Sequence, residues 1–179
     1  MKRAAILGGL LLLVSCSTAQ ALPRWSVLFG GGASIPVSDF ADYAKTGWQG
    51  MVGVAWHNAD WPVAIRTEFV YGTNKHEGDF DEATNVYGPL LSLVYRLNKD
   101  GEMKVRPYVL GSAGVLNHHY DAGTTGFENE SEWKAAFGGG AGVGITAGER
   151  VSVFFEGRYL TRDGTNFIPL LAGVHITLQ

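Results

Sequence analysis

Cysteine is almost missing from this 179-residue chain. The single one, Cys16, lies in an N-terminal segment read below as a leader, so no disulfide can staple the remainder. Also missing is any stretch with the Ala/Glu/Lys/Leu-rich, 3.6-residue period of a long helix, so no helix is available to cover the apolar face of a sheet. No run of basic residues occurs. Once Lys2 and Arg3 leave with the leader, 12 basic residues face 17 acidic ones, a net charge of −5. Such a chain is a poor partner for nucleic acid, and none is expected. The run Gly138-Gly-Gly-Ala-Gly-Val-Gly144 lacks the Lys-Ser/Thr tail of a phosphate loop and does not fit G-x-G-x-x-G. It reads instead as the small face of a strand that lets a sheet pack or bend. No cofactor and no metal site are expected.

What the chain does have is glycine, 25 residues of it, and aromatic and β-branched residues that alternate with small or polar ones. The clearest case is Val151-Ser-Val-Phe-Phe-Glu-Gly-Arg-Tyr-Leu160. Val151, Val153, Phe155 and Tyr159 fall on one face, and Ser152, Glu156 and Arg158 on the other. The same period predicts eight strands, near residues 24–35, 48–57, 62–71, 85–97, 105–117, 133–146, 151–160 and 167–178. The odd-numbered connections 36–47, 72–84 and 118–132 are about 12, 13 and 15 residues long, and 161–165 is short. The even-numbered ones are tight turns, including Asn58-Ala-Asp60 and the Asp-Gly pair in Asn98–Glu102, where positive φ is tolerated.

Met1-Lys2-Arg3 followed by the apolar run Ala4–Val14 has the charged and hydrophobic regions of a secretory signal, and is too short to cross a bilayer as a helix. Ala19-Gln20-Ala21 offers small-x-small cleavage, giving a leader of residues 1–21 and a mature domain of residues 22–179. Leu13-Val14-Ser15-Cys16 offers the competing lipoprotein route, with Cys16 as the lipidated residue. Cleavage after Ala21 is favoured because a barrel needs no extra anchor.

An exported, uncovered, all-β chain points to an inside-out arrangement: an eight-stranded antiparallel up-and-down transmembrane β-barrel, apolar residues toward lipid and polar ones within. Aromatics gather at strand ends, as membrane interfaces select. Trp25, Trp56 and Tyr95 mark one rim, and Trp48, Tyr71, Tyr87, Trp133, Tyr159 and Phe167 the other. A soluble periplasmic lipid-carrying barrel is the alternative, and it requires those apolar faces to point inward.

On Gly30-Gly-Gly-Ala-Ser-Ile-Pro36 with Asp39-Phe40, on Arg106-Pro-Tyr108, and on the final strand, the chain resembles the small bacterial outer-membrane β-barrel domain family, the OmpA/OmpX-type eight-stranded barrels. The resemblance covers the whole mature chain. It implies a bacterial outer-membrane location, contact with outer-membrane lipid and lipopolysaccharide, and recognition by the assembly machinery through Gly173-Val-His-Ile-Thr-Leu178. The chain departs from the family by ending in Gln179 and not in an aromatic residue. A monomer is expected.

Arg66, Glu68, Arg106, Tyr108, Glu156 and Arg158 are assigned to the barrel interior. An eight-stranded barrel is just filled by side chains, and charges enclosed there must pair. Arg66/Glu68 and Glu156/Arg158 are the expected pairs. His118, His119 and Asp121, with Ser112 or Ser131, could imitate the sites of lipid A-modifying barrel enzymes. Adjacent histidines on a strand point to opposite faces, which argues against joint metal ligation. The acidic loop residues Glu77, Asp79, Asp81, Glu82, Asp121, Glu128, Glu130 and Glu132 either keep the loops solvated or bridge lipopolysaccharide phosphates through divalent cations. The expected role is structural or surface-interacting, or that of a narrow pore, and non-enzymatic.

Overall fold

The structure, a computed structural model, describes residues 24–58, 61–76, 82–98, 104–121 and 130–178. The leader, Cys16, the turn residues 99–103, the loop acids Glu77, Asp79, Asp81 and Glu128, and Gln179 lie outside the described residues. Eight strands follow one another: β1 (Arg24–Val37), β2 (Gly47–His57), β3 (Val63–Lys75), β4 (Ala83–Arg96), β5 (Val105–Asp121), β6 (Glu130–Thr146), β7 (Val151–Arg162) and β8 (Thr165–Thr177). Each pairs antiparallel with its neighbour, and β8 pairs back onto β1 from Ser26↔Thr177 to Val37↔Asn166, so the barrel is closed. Closure leaves no free sheet edge among the described strands, the condition for strands in hydrocarbon.

The alternation resolves as an inside-out barrel. Phe29, Leu91, Leu93, Phe137, Phe155 and Leu170 each stand about half exposed on the outer wall, while Arg66, Glu68, Glu156 and Arg158 are buried within. A soluble carrier needs the reverse and is excluded by this placement. The core lies inside the barrel. Along β7, Phe154 and Leu160 flank the charged pair Glu156 and Arg158, and along β3, Ala64 and Val70 flank Arg66 and Glu68.

The strands run further than the sequence suggests at the end that carries the long loops. β5 continues to Asp121 and β6 resumes at Glu130, with His118↔Glu132 and His119↔Ser131 paired in the ladder, so residues 118–121 and 130–132 of the expected loop are strand. Seventeen residues at about 3.3 Å each, tilted by about 40°, rise roughly 43 Å, well beyond an apolar band of about 25 Å. That hairpin therefore projects past the membrane. The β7–β8 connection contracts to Asp163-Gly164, both at positive φ (38° and 83°), the conformation of a two-residue type I′ hairpin.

Phe167 departs from the expected girdle. It points inward and is almost fully buried, paired in the ladders with Leu160 and Pro36. Both faces of β8 are apolar, Phe167, Pro169 and Leu171 against Ile168, Leu170 and Ala172, so alternation alone could not orient it. The other girdle residues face outward. Trp48, Tyr71, Tyr87 and Trp133 form a continuous ring ladder with centroid separations of 5.6, 6.2 and 5.7 Å. Trp56 meets Trp61 edge-on at 6.0 Å near the opposite rim. Each such pair contributes about 0.5–1.5 kcal/mol beyond its buried area.

Candidate functional site: the sealed interior

Strands β3 and β7 stand on opposite sides of the barrel, and their inward residues meet across it. The Arg66 guanidinium donates to both carboxylate oxygens of Glu156, at 2.9 and 3.1 Å. Arg158 answers in the other direction. Its Nη2 donates to Glu68 Oε2 at 2.9 Å, its Nη1 to Glu68 Oε1, and its Nε to Glu156. Arg66 Nε lies 3.2 Å from Glu68 Oε2, within Coulombic reach though not aligned as a hydrogen bond. The four charges cancel, and their side chains are 0–3% exposed. Forked guanidinium–carboxylate pairs are the geometry in which buried ions recover their desolvation cost most fully.

Neutral groups complete the cluster. Tyr108 Oη donates to Glu156 Oε2 at 2.9 Å, and Ser92 Oγ donates to Glu68 Oε1 at 3.0 Å while sharing a 2.7 Å bond with Ser112. The Tyr108 ring lies over Gly142, where a Cβ would stand 2.5 Å from the ring, so the glycine face of β6 makes room for it. Arg106 is not in this cluster. It is the second residue of β5, exposed at the rim, and lines a cavity at that end that reaches in to Arg66 and Tyr108 of the cluster. Its position follows from the strand starting only at Val105, which leaves the guanidinium level with the barrel mouth.

The opposite mouth is roofed. After β1 a 3-10 helix, Ser38–Asp42, turns Phe40 into the barrel, where it is fully buried and meets His118 edge-on at 6.4 Å. Asn74 holds this roof down: it accepts from Ser34 Oγ and donates to the carbonyls of Ser34 and Lys45, all at 2.9 Å. Arg162 ties β7 to the long hairpin through the carbonyls of Leu116 (3.2 Å) and Glu132 (2.6 Å). The His76 ring bonds Thr84 Oγ1 at 2.8 Å and lies between Tyr43 and Tyr120, at 5.3 and 5.4 Å. The sequence offered Phe40 only as part of the family resemblance and gave no sign of a role for Asn74 or Arg162 beyond their phase. Asn74 and Arg162 are in phase with Glu68 and Arg158, and that phase was the available signal.

His118 lines a cavity inside the roofed mouth together with His76, Ser131 and Glu132. His118 points inward and His119, paired with Asn85 on one side and Ser131 on the other, falls on the outer face. Ser112 is bonded to Ser92, and Ser131 Oγ donates to Asn117 Oδ1 at 3.0 Å. Among the described residues no group of three His, Cys, Asp or Glu side chains is placed to hold a metal ion.

Residues 9–172 match a family model described as outer membrane protein beta-barrel domain. The chain is similar in structure to Neisserial surface protein A, at 16% identity and a TM-score of 0.65 over 86% of this chain and 97% of that one. It is similar to Ail, the attachment invasion locus protein of Yersinia pestis solved with the heparin analogue sucrose octasulfate (15%, 0.58, 87% and 97%). A major outer membrane protein of Thermus thermophilus is a third such structure (13%, 0.59, 87% and 99%). Among curated proteins no sequence matches. At these identities the structural likeness shows the fold alone, whereas the family model spans most of the sequence. The closed barrel, its apolar outer wall and that match agree: the chain belongs to the outer membrane protein beta-barrel domain family and resides in the bacterial outer membrane.

Proposed function

We propose that this protein is a non-enzymatic outer-membrane barrel with a structural and surface-interaction role, working through its outer rim and loops and conducting no solutes. The observation that carries the reading is the buried Arg66–Glu156 and Arg158–Glu68 crosslink that fills the middle of the barrel, beneath a mouth roofed by Phe40. With the lumen occupied by paired charges, the surfaces left for partners are the projecting β5–β6 hairpin and the acidic rim that includes Glu82 and Glu132. Through divalent cations such carboxylates bridge lipopolysaccharide phosphates. The final strand, with Gly173 inward and Ile176 and Leu178 outward, is the segment by which assembly machinery takes up the chain, and the barrel acts as a monomer. A surface role is in keeping with the names of two similar folds, a surface protein and an attachment invasion locus protein.

The test is expression in a Gram-negative outer membrane, with residues 122–129 replaced by a Gly/Ser segment of equal length in a parallel strain. The expected result is an identical lipid A mass profile with and without the protein, and altered cell adhesion on loop replacement while the folded barrel persists. A new lipid A species that disappears in His118→Ala would overturn the non-enzymatic reading.

A further inference from the structure

The roof over the outer mouth is fastened at its two ends and rests in its middle on one ring. Asn74 bonds the carbonyls of Ser34 and Lys45, and the Lys45 N–H donates to the Lys75 carbonyl at 2.7 Å. Between these points Ser38 stands at φ 54°, a left-handed conformation uncommon for serine, so packing and not backbone preference holds the segment down. That packing is Phe40, fully buried, its ring edge-on to His118 at 6.4 Å. Behind the roof lies a cavity of about 470 Å³ whose lining includes Tyr43 of the roof, His76, Tyr120 and His118. His118 Nε2 is enclosed and has no hydrogen-bond partner among the described residues. The charged groups that act on this ring are Arg162 from β7, His76 from β3, and Glu132 and Lys134 from β6. The roof's own acids, Asp39 and Asp42, are exposed. The carboxylate of Glu132 already meets Lys134 at 3.0 Å and Arg162 at 4.0 Å.

We propose that the roof is an acid-released lid: a proton taken up by His118 lifts residues 38–44 from the mouth and opens the cavity behind them to the exterior. An imidazolium beneath Phe40 is a charge without water, beside Arg162, and lifting the ring lets water reach it. Burial first, then Arg162 and His76, hold the His118 pKa at about 4, against an ordinary value of 6.5. The closed roof thus favours the neutral ring. Closure is kept above pH 6.5 and is lost progressively as pH falls from 6.5 toward 4. With those two values the open-to-closed ratio rises roughly twentyfold between pH 7 and pH 5. His76 is not the trigger, because Glu82 stands 3.6 Å away to meet its charge. The Arg66–Glu156 and Arg158–Glu68 pairs lie deeper and keep the barrel shut while the lid is up. The device is independent of what the outer rim binds.

The experiment uses the mature barrel, residues 22–179, in nanodiscs; it holds no cysteine of its own. Ala44→Cys places a thiol on the underside of the roof, where Ala44 is 6% exposed, and Lys45→Cys places one in the open. Both are labelled with 4,4′-dithiodipyridine, which reacts with thiols at acid pH. Dividing the buried rate by the exposed rate at each pH cancels the chemistry of the reagent and reports how often the roof is up. That ratio is expected to rise roughly twentyfold from pH 7 to pH 5, and to stay flat in His118→Gln. A flat ratio with His118 in place, or a rise that persists in His118→Gln, would overturn the lid. Should a variant fail to fold, the His118 ring carbons are followed by NMR in the cysteine-free barrel. A titration midpoint below about pH 5 that moves toward about 6.5 in Phe40→Ala supports the lid, and an ordinary midpoint with Phe40 in place overturns it.

Discussion

At the scale of single residues, the barrel is held by four buried charges and by glycines at points of close approach. Arg158 serves two carboxylates, so Arg158→Ala leaves Glu68 and Glu156 short of partners in a water-poor interior. Breaking a buried pair from one side costs about 3–5 kcal/mol, and urea titration of the barrel in lipid vesicles is expected to show a loss of that size. Replacing the pair together, Glu68→Gln with Arg158→Met, is expected to cost less than Arg158→Ala alone. A larger loss in the double variant would mean that the ions stabilise beyond satisfying one another. Gly88 is the second sensitive point: its φ is +153° and a Cβ there would stand 2.3 Å from the Val115 carbonyl oxygen. Gly88→Ala is expected to destabilise by about 1–3 kcal/mol in the same titration.

Alternation in β3 and β7 put Arg66, Glu68, Glu156 and Arg158 on one face from sequence. It could not say that Arg66 reaches across to Glu156 or Arg158 to Glu68, because those contacts span 90 positions and depend on how far each strand is sheared around the barrel. Arg106 shows the same limit. Its phase and the strand's start at Val105 were legible, but which side chains come within its reach was not, since that depends on the shear between strands.

At the scale of elements, the strands with one apolar and one small or polar face were legible, and β8, apolar on both, was not. Loop lengths misled where the ladder continues beyond the membrane. Residues 118–121 and 130–132 look like loop because they are polar, yet a hairpin projecting into water keeps its pairing while losing the need for an apolar face. The Phe40 roof was equally hidden, since one aromatic in a polar connection carries no period. Its role makes a prediction. Phe40→Asp is expected to lift the 3-10 helix from the mouth, seen as much faster protease cleavage between residues 38 and 46, with the barrel itself still intact. Unchanged cleavage would mean that the Asn74 hydrogen bonds hold the segment without the ring.

At the scale of the molecule, the amino acids that would normally be buried are spread over the outside. Trp25, Trp48, Trp133 and Phe137 are each more than half exposed, an apolar surface that only lipid can cover. On cold SDS gels of the outer-membrane fraction, the protein is expected to run as a compact band that shifts on boiling. A protein released with the periplasm and insensitive to heat would contradict the barrel's orientation. The absence of disulfides and of covering helices made this inside-out architecture readable in the sequence, because so few other arrangements were left.

The claim that joins the scales is that the barrel is shut by its own charges. The most direct test is conductance of the purified protein across planar lipid bilayers, compared with the variants Arg66→Ala and Arg158→Ala. No steady current is expected through the native barrel, and channel openings are expected when either arginine is removed. Sustained conductance by the native protein, unchanged in those variants, would contradict the sealed interior and return the pore to the centre of its function.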